Sequence, residues 1–207
     1  YGHKMLWHTL PPSCLLCHAA IPYHPQHPNI CLGCENDLLS NDRACPRCAE
    51  PEPIGALCRH CQQHTPAYHH TTAAFVYTPP LAHIITQYKY GKQPALAKPL
   101  TKLMLSQALP PALARDQIDA LIAVPMHPKR LQQRGFNQAH LLALQLGRLF
   151  NLPVLTPHVQ RLSAPLYQQA MLDRQARFFI MFGVFSTDKS WANLHVLVID
   201  DVMTTGA

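Results

Sequence analysis

The chain has 207 residues, 48% of them apolar, enough for one α/β domain with a small module, and disorder is not expected. Its apolar runs are too short to span a membrane and no signal peptide is visible, so we expect a cytoplasmic protein without membrane insertion. The net charge of +6 comes from residues 66–207, which contain 13 Lys/Arg and 6 Asp/Glu, whereas residues 1–65 contain 4 Lys/Arg and 5 Asp/Glu. This excess of positive charge predicts that residues 66–207 contact anions such as sugar phosphates or nucleic acid.

All eight cysteines lie within residues 1–65, in four C-x-x-C pairs. A two-residue spacer lets a tight turn direct both sulfurs at one metal ion about 2.3 Å away, and two such pairs complete a tetrahedral site. Combining neighbouring pairs predicts two consecutive zinc ribbons. Their ligands would be Cys14, Cys17, Cys31 and Cys34 for the first ion, and Cys45, Cys48, Cys58 and Cys61 for the second.

Three other kinds of cysteine site fit this pattern less well. A disulfide framework is disfavoured by the regular pairs and by the expected cytosolic setting. The letters CLLCH at residues 14–18 match a c-type haem attachment, but the other three pairs lack the following histidine. An iron–sulfur cluster would not naturally use two matched halves. Because the segment has few large apolar residues, we expect the metal to supply its folding free energy.

Periodic patterns begin after Pro66 and predict an α/β domain over residues 66–207. Residues 73–77 are predicted to form a strand. A helix is predicted after the two prolines at 79 and 80, and another near Pro99. The apolar faces of these helices would carry Leu81, Ile84, Ile85 and Tyr88 in the first, and Leu100, Leu103, Met104 and Gln107 in the second.

Residues 119–124 are predicted to form the next strand, and Asn137 to cap an amphipathic helix. That helix would carry Leu141, Leu142, Leu149 and Phe150 on its apolar face. Strands that alternate with helices predict a mostly parallel sheet.

The segment 124–139, VPMHPKRLQQRGFNQA, is predicted to be a loop beyond the carboxyl end of that strand. Its candidate phosphate-binding residues are His127, Arg130, Arg134 and Gly135, with Lys129 between them. A plain solvated basic loop is the alternative. Binding of pyrophosphate is preferred, because ligands of open α/β sheets sit at this edge and a helix N-terminus follows.

The last twelve residues, VLVIDDVMTTGA, join a short apolar run to two carboxylates and a small-residue turn. The run at residues 196–199 predicts a strand buried on both faces. Asp200 and Asp201 could accept hydrogen bonds from ribose hydroxyls and hold Mg²⁺ through water. Backbone N–H groups in the turn could surround a phosphate; the turn contains Thr204, Thr205, Gly206 and Ala207. An ordinary Asp-capped turn is the alternative.

This stretch resembles the PRPP-binding loop of the type I phosphoribosyltransferases. The whole chain resembles the ComF/GntX family of competence and DNA-utilisation proteins, through the four C-x-x-C pairs, YKYGK at residues 88–92, VPxHxxRxxxRGFNQA, QxxLxRxxR and the acid-pair loop, in that order. The resemblance implies a type I phosphoribosyltransferase-like, mostly parallel sheet with flanking helices, preceded by a small double zinc-ribbon module. It also implies two structural Zn²⁺ ions, and Mg²⁺ with PRPP.

In the QxxLxRxxR segment, Arg174 and Arg177 match the mobile loop that closes over PRPP in phosphoribosyltransferases. The resemblance therefore implies catalytic roles for these arginines beside Asp200 and Asp201. The family pattern has an asparagine where this chain has Ile180, although Phe185 is kept. We also expect a longer protein, because the chain begins at Tyr1 without methionine and ends inside the phosphate-binding motif, so the phosphoribosyltransferase-like domain is truncated.

Two functions follow from these patterns. In one, the protein is a binding component of DNA uptake that holds a phosphoribosyl ligand (PRPP or ribose 5-phosphate), single-stranded DNA or DNA-uptake proteins. In the other, it is a phosphoribosyltransferase that releases pyrophosphate. A DNA surface would carry Lys89, Lys92, Lys129, Arg130 and Arg134 on one side, with Tyr88 and Tyr90 either stacking on bases or packing in the core.

Overall fold

A computed structural model describes residues 12–22, 29–51, 53, 56–107, 117–162, 183–188 and 191–203. The helices are α1 (Leu32–Asn36), α2 (Arg59–Gln63), α3 (Leu81–Tyr90), α4 (Ala97–Ser106), α5 (Pro128–Arg134) and α6 (Gln138–Phe150). The strands are β1 (Ala120–Ala123), β2 (Val159–Arg161), β3 (Phe185–Thr187) and β4 (Val196–Ile199). Short 3₁₀ turns lie at Pro94–Leu96 and Thr156–His158.

Strand β1 is the centre of a parallel sheet. It pairs in parallel with β4, from Ala120 opposite Val196 to Ala123 opposite Ile199. On its other edge, Leu121 forms a parallel bridge with Val154. All four β1 residues are buried, as expected of an apolar strand with neighbours on both sides. The predicted parallel sheet with flanking helices is confirmed, and β2 and β3 form a separate antiparallel pair.

Helix α6 packs against β1 and begins where the sequence predicts. The side chain of Asn137 accepts a hydrogen bond from the His140 amide at 3.3 Å. The prediction that Leu149 belongs to the core is wrong, because this side chain is 57% exposed. Near its C-terminal end, α6 is covered on the side that carries Gly147, which packs against Leu152 and Val154. Leu149 lies about 200° further round the helix.

Helix α3 follows Pro80 as predicted, and it buries Ile84, Ile85 and Tyr88. It ends at Gly91, where a Cβ atom would lie 2.6 Å from the carbonyl oxygen of Gln87. Helix α4 starts at Ala97, two residues before the predicted Pro99, because the 3₁₀ turn at Pro94–Leu96 leads directly into it. Its buried residues include Leu100 and Leu103, and it packs against α6.

The strand predicted at residues 73–77 does not form. Phe75 makes only an isolated antiparallel bridge with Ser40, and the amide of Val76 donates to the carbonyl of Leu39 at 2.9 Å. On the partner segment these contacts are confined to residues 39–41, so the bridge does not continue into a ladder.

The loop predicted over residues 124–139 is also partly wrong, because it contains α5. Pro128 occupies the first turn of this helix, where its missing N–H costs nothing. His127 caps the helix by accepting a hydrogen bond from the Lys129 amide at 3.2 Å.

Strand β4 is not buried on both faces as predicted. Ile199 is 5% exposed, whereas Val198 is 60% exposed. Alternate residues of a strand face opposite sides of the sheet. No element within the described ranges covers the side of β4 that Val198 faces.

The two cysteine groups relate differently to the main core. Cys14, Ile21 and Ile30 belong to the same buried cluster as Tyr88 and Leu121. The second group forms a separate small cluster of Cys45, Cys48, Cys58 and Cys61 with Leu57 and Tyr68. In the part of the chain that the structure covers, no helix combines the length and apolarity needed to cross a membrane.

Candidate functional site

The eight cysteines form two groups, each made of neighbouring pairs as predicted. In each group the four Sγ atoms lie within 4.8 Å of one another. The Sγ atoms of Cys17 and Cys31 are 3.7 Å apart, and those of Cys48 and Cys58 are 3.5 Å apart. Four sulfurs at 2.3 Å from a tetrahedral zinc would be about 3.8 Å from each other. Both groups are therefore consistent with one structural zinc ion each, and all eight thiols are free of disulfides.

The two groups are built in the same way. The first pair of each group lies in a turn whose next residue is left-handed, with φ of 61° at His18 and 58° at Ala49. The second pair lies at the start of a short helix, with Cys31 as the N-cap of α1 and Cys58 as the N-cap of α2. The four C-x-x-C pairs predict the two consecutive ribbons, and the structure adds the short helix at the second pair of each one.

Backbone amides support one thiolate in each group. The Cys31 amide donates to Sγ of Cys14 at 3.3 Å, and the Cys58 amide donates to Sγ of Cys45 at 3.4 Å. Burial opposes ionisation of these two thiols, but the amide donors outweigh it and lower the pKa of each to about 6. A hydrogen bond with Cys31 is the main cause that raises the pKa of Cys34. Positive charge from a metal would favour ionisation of all four.

The acid pair and the basic segment meet at one edge of the sheet. Asp200 and Asp201 follow β4 directly, while the segment from Val124 to Arg134 follows β1. Because β1 and β4 are parallel neighbours, both segments leave the same edge, and the Val124 amide donates to the Ile199 carbonyl at 2.9 Å. This is the edge at which ligands bind in open α/β sheets.

Asp201 is held on both sides by other elements. Its Oδ1 lies 3.0 Å from Nζ of Lys89 in α3. Its Oδ2 accepts a hydrogen bond from Nε2 of Gln138 in α6 at 3.2 Å. The side chains of Lys89 and Asp201 are 18% and 6% exposed, so this ion pair is largely shielded from water.

Asp200 is in a different situation. The residue is exposed, and its Oδ1 accepts a hydrogen bond from the Asp201 amide at 2.8 Å. Partial desolvation against the protein and the neighbouring charge of Asp201 raise the pKa of Asp200 to about 7, although Lys89 opposes the shift. Near neutral pH this carboxyl group can therefore be neutral or charged.

The predicted phosphate-binding residues of the basic segment differ in exposure. Arg130 is half-buried, whereas Arg134 is only 8% exposed and its guanidinium lies 4.9 Å from the centre of the Tyr90 ring. Burial and the charge of Arg130 lower the pKa of Arg134, and Tyr90 and Asp201 act in the opposite direction. Gly135 ends α5 in the left-handed region at φ 88°. The ring of His127 serves as the cap of α5.

Three residues near the acid pair were missed as site residues by sequence reasoning. Lys89 was predicted to face DNA, but it pairs with Asp201. Gln138 belongs to the RGFNQ motif without a predicted role, although its side chain donates a hydrogen bond to the same carboxylate. Arg161 in β2 has its pKa lowered by burial and by Arg130, and Asp200 opposes that shift, so it is within electrostatic reach of both. No local pattern pointed to these contacts.

Some predicted site residues lie outside the described residues. They are Thr204, Thr205, Gly206, Ala207, Arg174 and Arg177. Their roles in phosphate binding and in loop closure stay predictions.

Residues 5–62 match the family model described as a double zinc ribbon domain. Over 205 residues the chain is 29% identical to the DNA utilization protein YhgH of Salmonella typhimurium, covering 96% of this chain and 88% of the relative. It is 28% identical over 200 residues to Competence protein F of Haemophilus influenzae, covering 94% and 86%. It is 23% identical over 189 residues to Competence protein ComFC of Bacillus subtilis, covering 86% and 73%.

No solved structure matches the chain. The predicted resemblance is confirmed by the two cysteine groups, the matching ribbon family and the relatives that align over most of the sequence. The chain carries a double zinc ribbon domain at residues 5–62 and is homologous over most of its length to proteins named DNA utilization protein and competence protein.

Proposed function

We propose that this protein acts in DNA uptake or utilisation as a binding component that holds a phosphoribosyl ligand and single-stranded DNA. The relatives named DNA utilization protein and competence protein support the role in DNA uptake. In this proposal residues 1–65 are a zinc-ribbon module and residues 66–207 a phosphoribosyltransferase-like domain. A cytoplasmic location belongs to the same proposal.

The observation that carries the sugar-phosphate part is the meeting of carboxylate and cationic side chains at one sheet edge. Asp200 directly follows β4, and Arg130 lies in the segment that follows β1. These two strands are parallel neighbours. A ribose offers hydroxyl donors to a carboxylate, and its phosphate groups need positive charge and N–H donors. The turn at 204–207 is proposed to supply those N–H donors.

Magnesium fits this site through Asp200. Mg²⁺ keeps several waters and is bound by one or two carboxylates together with substrate phosphates. Asp200 is exposed and can take part, whereas both oxygens of Asp201 already have partners within the protein. When bound, the ion would neutralise pyrophosphate charge, and Asp200 would hold it through water or directly.

Binding of single-stranded DNA is supported by a second set of residues, which lie in and beside α3 and α5. Tyr90 is 65% exposed and has Arg134 over its ring, so its other face is available to a base. Lys92 and Lys129 are exposed, and Arg130 lies close enough to lower the pKa of Arg134. Stacking on aromatic rings beside a basic groove is a common way to hold single strands. The zinc ribbons are proposed to dock a partner or further DNA.

A transferase is the second candidate, because the carboxylates could hold the ribose of PRPP while the arginines at 130 and 134 neutralise the leaving pyrophosphate. In that reaction an acceptor would attack C1 of the ribose while the bond to pyrophosphate breaks. Positioning and charge stabilisation could supply the rate without a protein nucleophile.

The test is a titration of the full-length protein with PRPP and Mg²⁺, followed by labelled single-stranded DNA and a search for pyrophosphate release with candidate bases. We expect PRPP and DNA to bind, and Arg130→Gln to weaken both. Arg148→Gln is the matched control, because Arg148 is an exposed arginine near the far end of α6. It lies about 15 Å along the helix from Gln138, the residue of α6 that contacts Asp201. Acceptor-dependent pyrophosphate release would favour the transferase. The proposal would be overturned if the protein bound neither PRPP nor single-stranded DNA.

A further inference from the structure

The two carboxylates at the end of β4 have different surroundings. We propose that Asp200 alone meets the sugar or its magnesium ion, and that Asp201 is a positioning residue that ties α3 and α6 to the end of β4. This inference rests on the proposed sugar-phosphate site. It departs from the expectation that both acids contact the ligand in the same way.

The partners of Asp201 come from both helices beside the strand. Lys89, in the last turn of α3, lies 3.0 Å from Oδ1, and Gln138, at the start of α6, donates to Oδ2 at 3.2 Å. The carboxylate side chain is 6% exposed. Because the carboxylate is covered, a ligand hydroxyl could reach it only by displacing Lys89 or Gln138, and displacing Lys89 would leave a buried charge uncompensated.

Gln138 is itself fixed in place, which makes it a stable partner. It is 5% exposed, and its backbone carbonyl accepts a hydrogen bond from the hydroxyl of Tyr88 at 2.9 Å. Its Oε1 has no hydrogen-bond partner within the described ranges. The amide therefore donates to Asp201 while its own acceptor stays unsatisfied. Turning the amide over would place oxygen against carboxylate, which is repulsive.

Asp200, unlike Asp201, is accessible to a ligand. It is exposed, and its Oδ1 accepts a hydrogen bond from the neighbouring backbone amide of Asp201 at 2.8 Å. A carboxylate has about four acceptor positions, so several remain for ribose hydroxyls or for water on a magnesium ion. The assignment also removes Lys89 from the DNA surface, because its charge is compensated inside the protein.

The test compares Asp200→Asn, Asp201→Asn, Lys89→Met and the Lys89→Met/Asp201→Asn double variant in the full-length protein. Thermal unfolding and calorimetric binding of ribose 5-phosphate with Mg²⁺ are measured for each. Lys98→Met is the matched control, since Lys98 is an exposed lysine in a helix. We expect Asp201→Asn and Lys89→Met each to lower Tm by at least about 5 °C. The double variant should lose less than the sum of both, because the two residues act as a pair.

Binding should separate the two acids. Asp200→Asn is expected to weaken the binding of ribose 5-phosphate by at least about tenfold, with little change in Tm. Asp201→Asn, measured where the protein is folded, should weaken it by less than about threefold. Equal losses of affinity, additive Tm shifts, or tighter binding by Lys89→Met would overturn the assignment. If the wild type does not bind ribose 5-phosphate, binding is measured with PRPP. If it binds neither, the proposed sugar-phosphate site fails, while the unfolding cycle still decides whether Asp201 is a positioning residue.

Discussion

Gly147 is the residue at which α6 comes closest to the segment beside β1. A Cβ atom there would lie 2.9 Å from the carbonyl oxygen of Leu152 and 2.9 Å from Cγ2 of Val154. Leu121 lies just beyond, so the contact reaches the central strand. The absence of a side chain at this position thus lets the helix pack closely on the sheet that carries the site.

We expect Gly147→Ala to reduce the free energy of unfolding by about 1–3 kcal/mol, because the added methyl group overpacks a backbone contact. Gly33→Ala in α1 is the matched control, since a Cβ there would meet nothing within 4 Å. In a helix that change alone favours folding by up to about 1 kcal/mol. Urea unfolding of both variants gives the comparison, and a neutral Gly147→Ala would show that the helix can shift without cost.

Two neighbouring tyrosines in α3 show what individual residues reveal only in the fold. Tyr88 is fully buried, with its ring 5.5 Å from that of Phe136. Tyr90 is 65% exposed. The sequence left both open as packing or base-stacking residues. Two positions apart on a helix they point about 200° away from each other, so one enters the core and the other meets solvent.

At the level of elements, the two zinc ribbons have the same construction and different neighbours. The first shares the main core through Cys14, Ile21 and Ile30, whereas the second has its own cluster with Leu57 and Tyr68. Both Cys14 and Cys45 are fully buried and accept amide hydrogen bonds. Loss of one metal should therefore have different consequences in the two ribbons.

We expect two zinc ions per chain, and one in either Cys14→Ser or Cys45→Ser. Cys14→Ser should also increase hydrogen exchange in α3 and β1, because a ribbon that belongs to the core unfolds with it. Cys45→Ser should increase exchange only around residues 44–63. Metal analysis and residue-resolved exchange measure both effects. Equal exchange in α3 for the two variants would show that the ribbons are energetically alike.

For the whole molecule, the question is which charges reach a DNA strand. The five basic residues predicted for that surface are not equivalent. Lys89 pairs with Asp201 and Arg134 is buried against Tyr90, whereas Lys92 and Lys129 are exposed. The excess positive charge of residues 66–207 thus divides into groups that stabilise the site and groups that can meet phosphate.

We expect Lys92→Gln to flatten the salt dependence of single-stranded DNA binding by about 0.7 in log–log slope, the value for one phosphate contact. Lys89→Gln should change the slope less, because its charge is already compensated by Asp201. Tyr90→Ala should weaken binding by about 1–3 kcal/mol through lost stacking. Tyr77→Ala is its control, since Tyr77 is 47% exposed on another segment. Fluorescence anisotropy over a salt series measures all four, and absence of binding at low salt would end the DNA hypothesis for this chain.

The sequence by itself determined the two groups of four cysteines, the parallel sheet and the capped helix after Asn137. In these cases the signal is local: two residues between cysteines, an apolar run, or a cap beside its helix. It also determined the order of motifs from which the resemblance to competence proteins was correctly inferred. Short-range signals of this kind need no knowledge of distant partners.

Only the tertiary structure decided that Asp201 is held inside the protein while Asp200 is exposed, and that Lys89 belongs to the site. The Gln138–Asp201 bond joins residues 63 positions apart, and adjacent aspartates look the same in a sequence. Exposure of Val198 and of Leu149 was likewise set by what packs above each residue. Burial and ion pairing depend on neighbours that the fold brings together, and periodicity describes only which residues share a face.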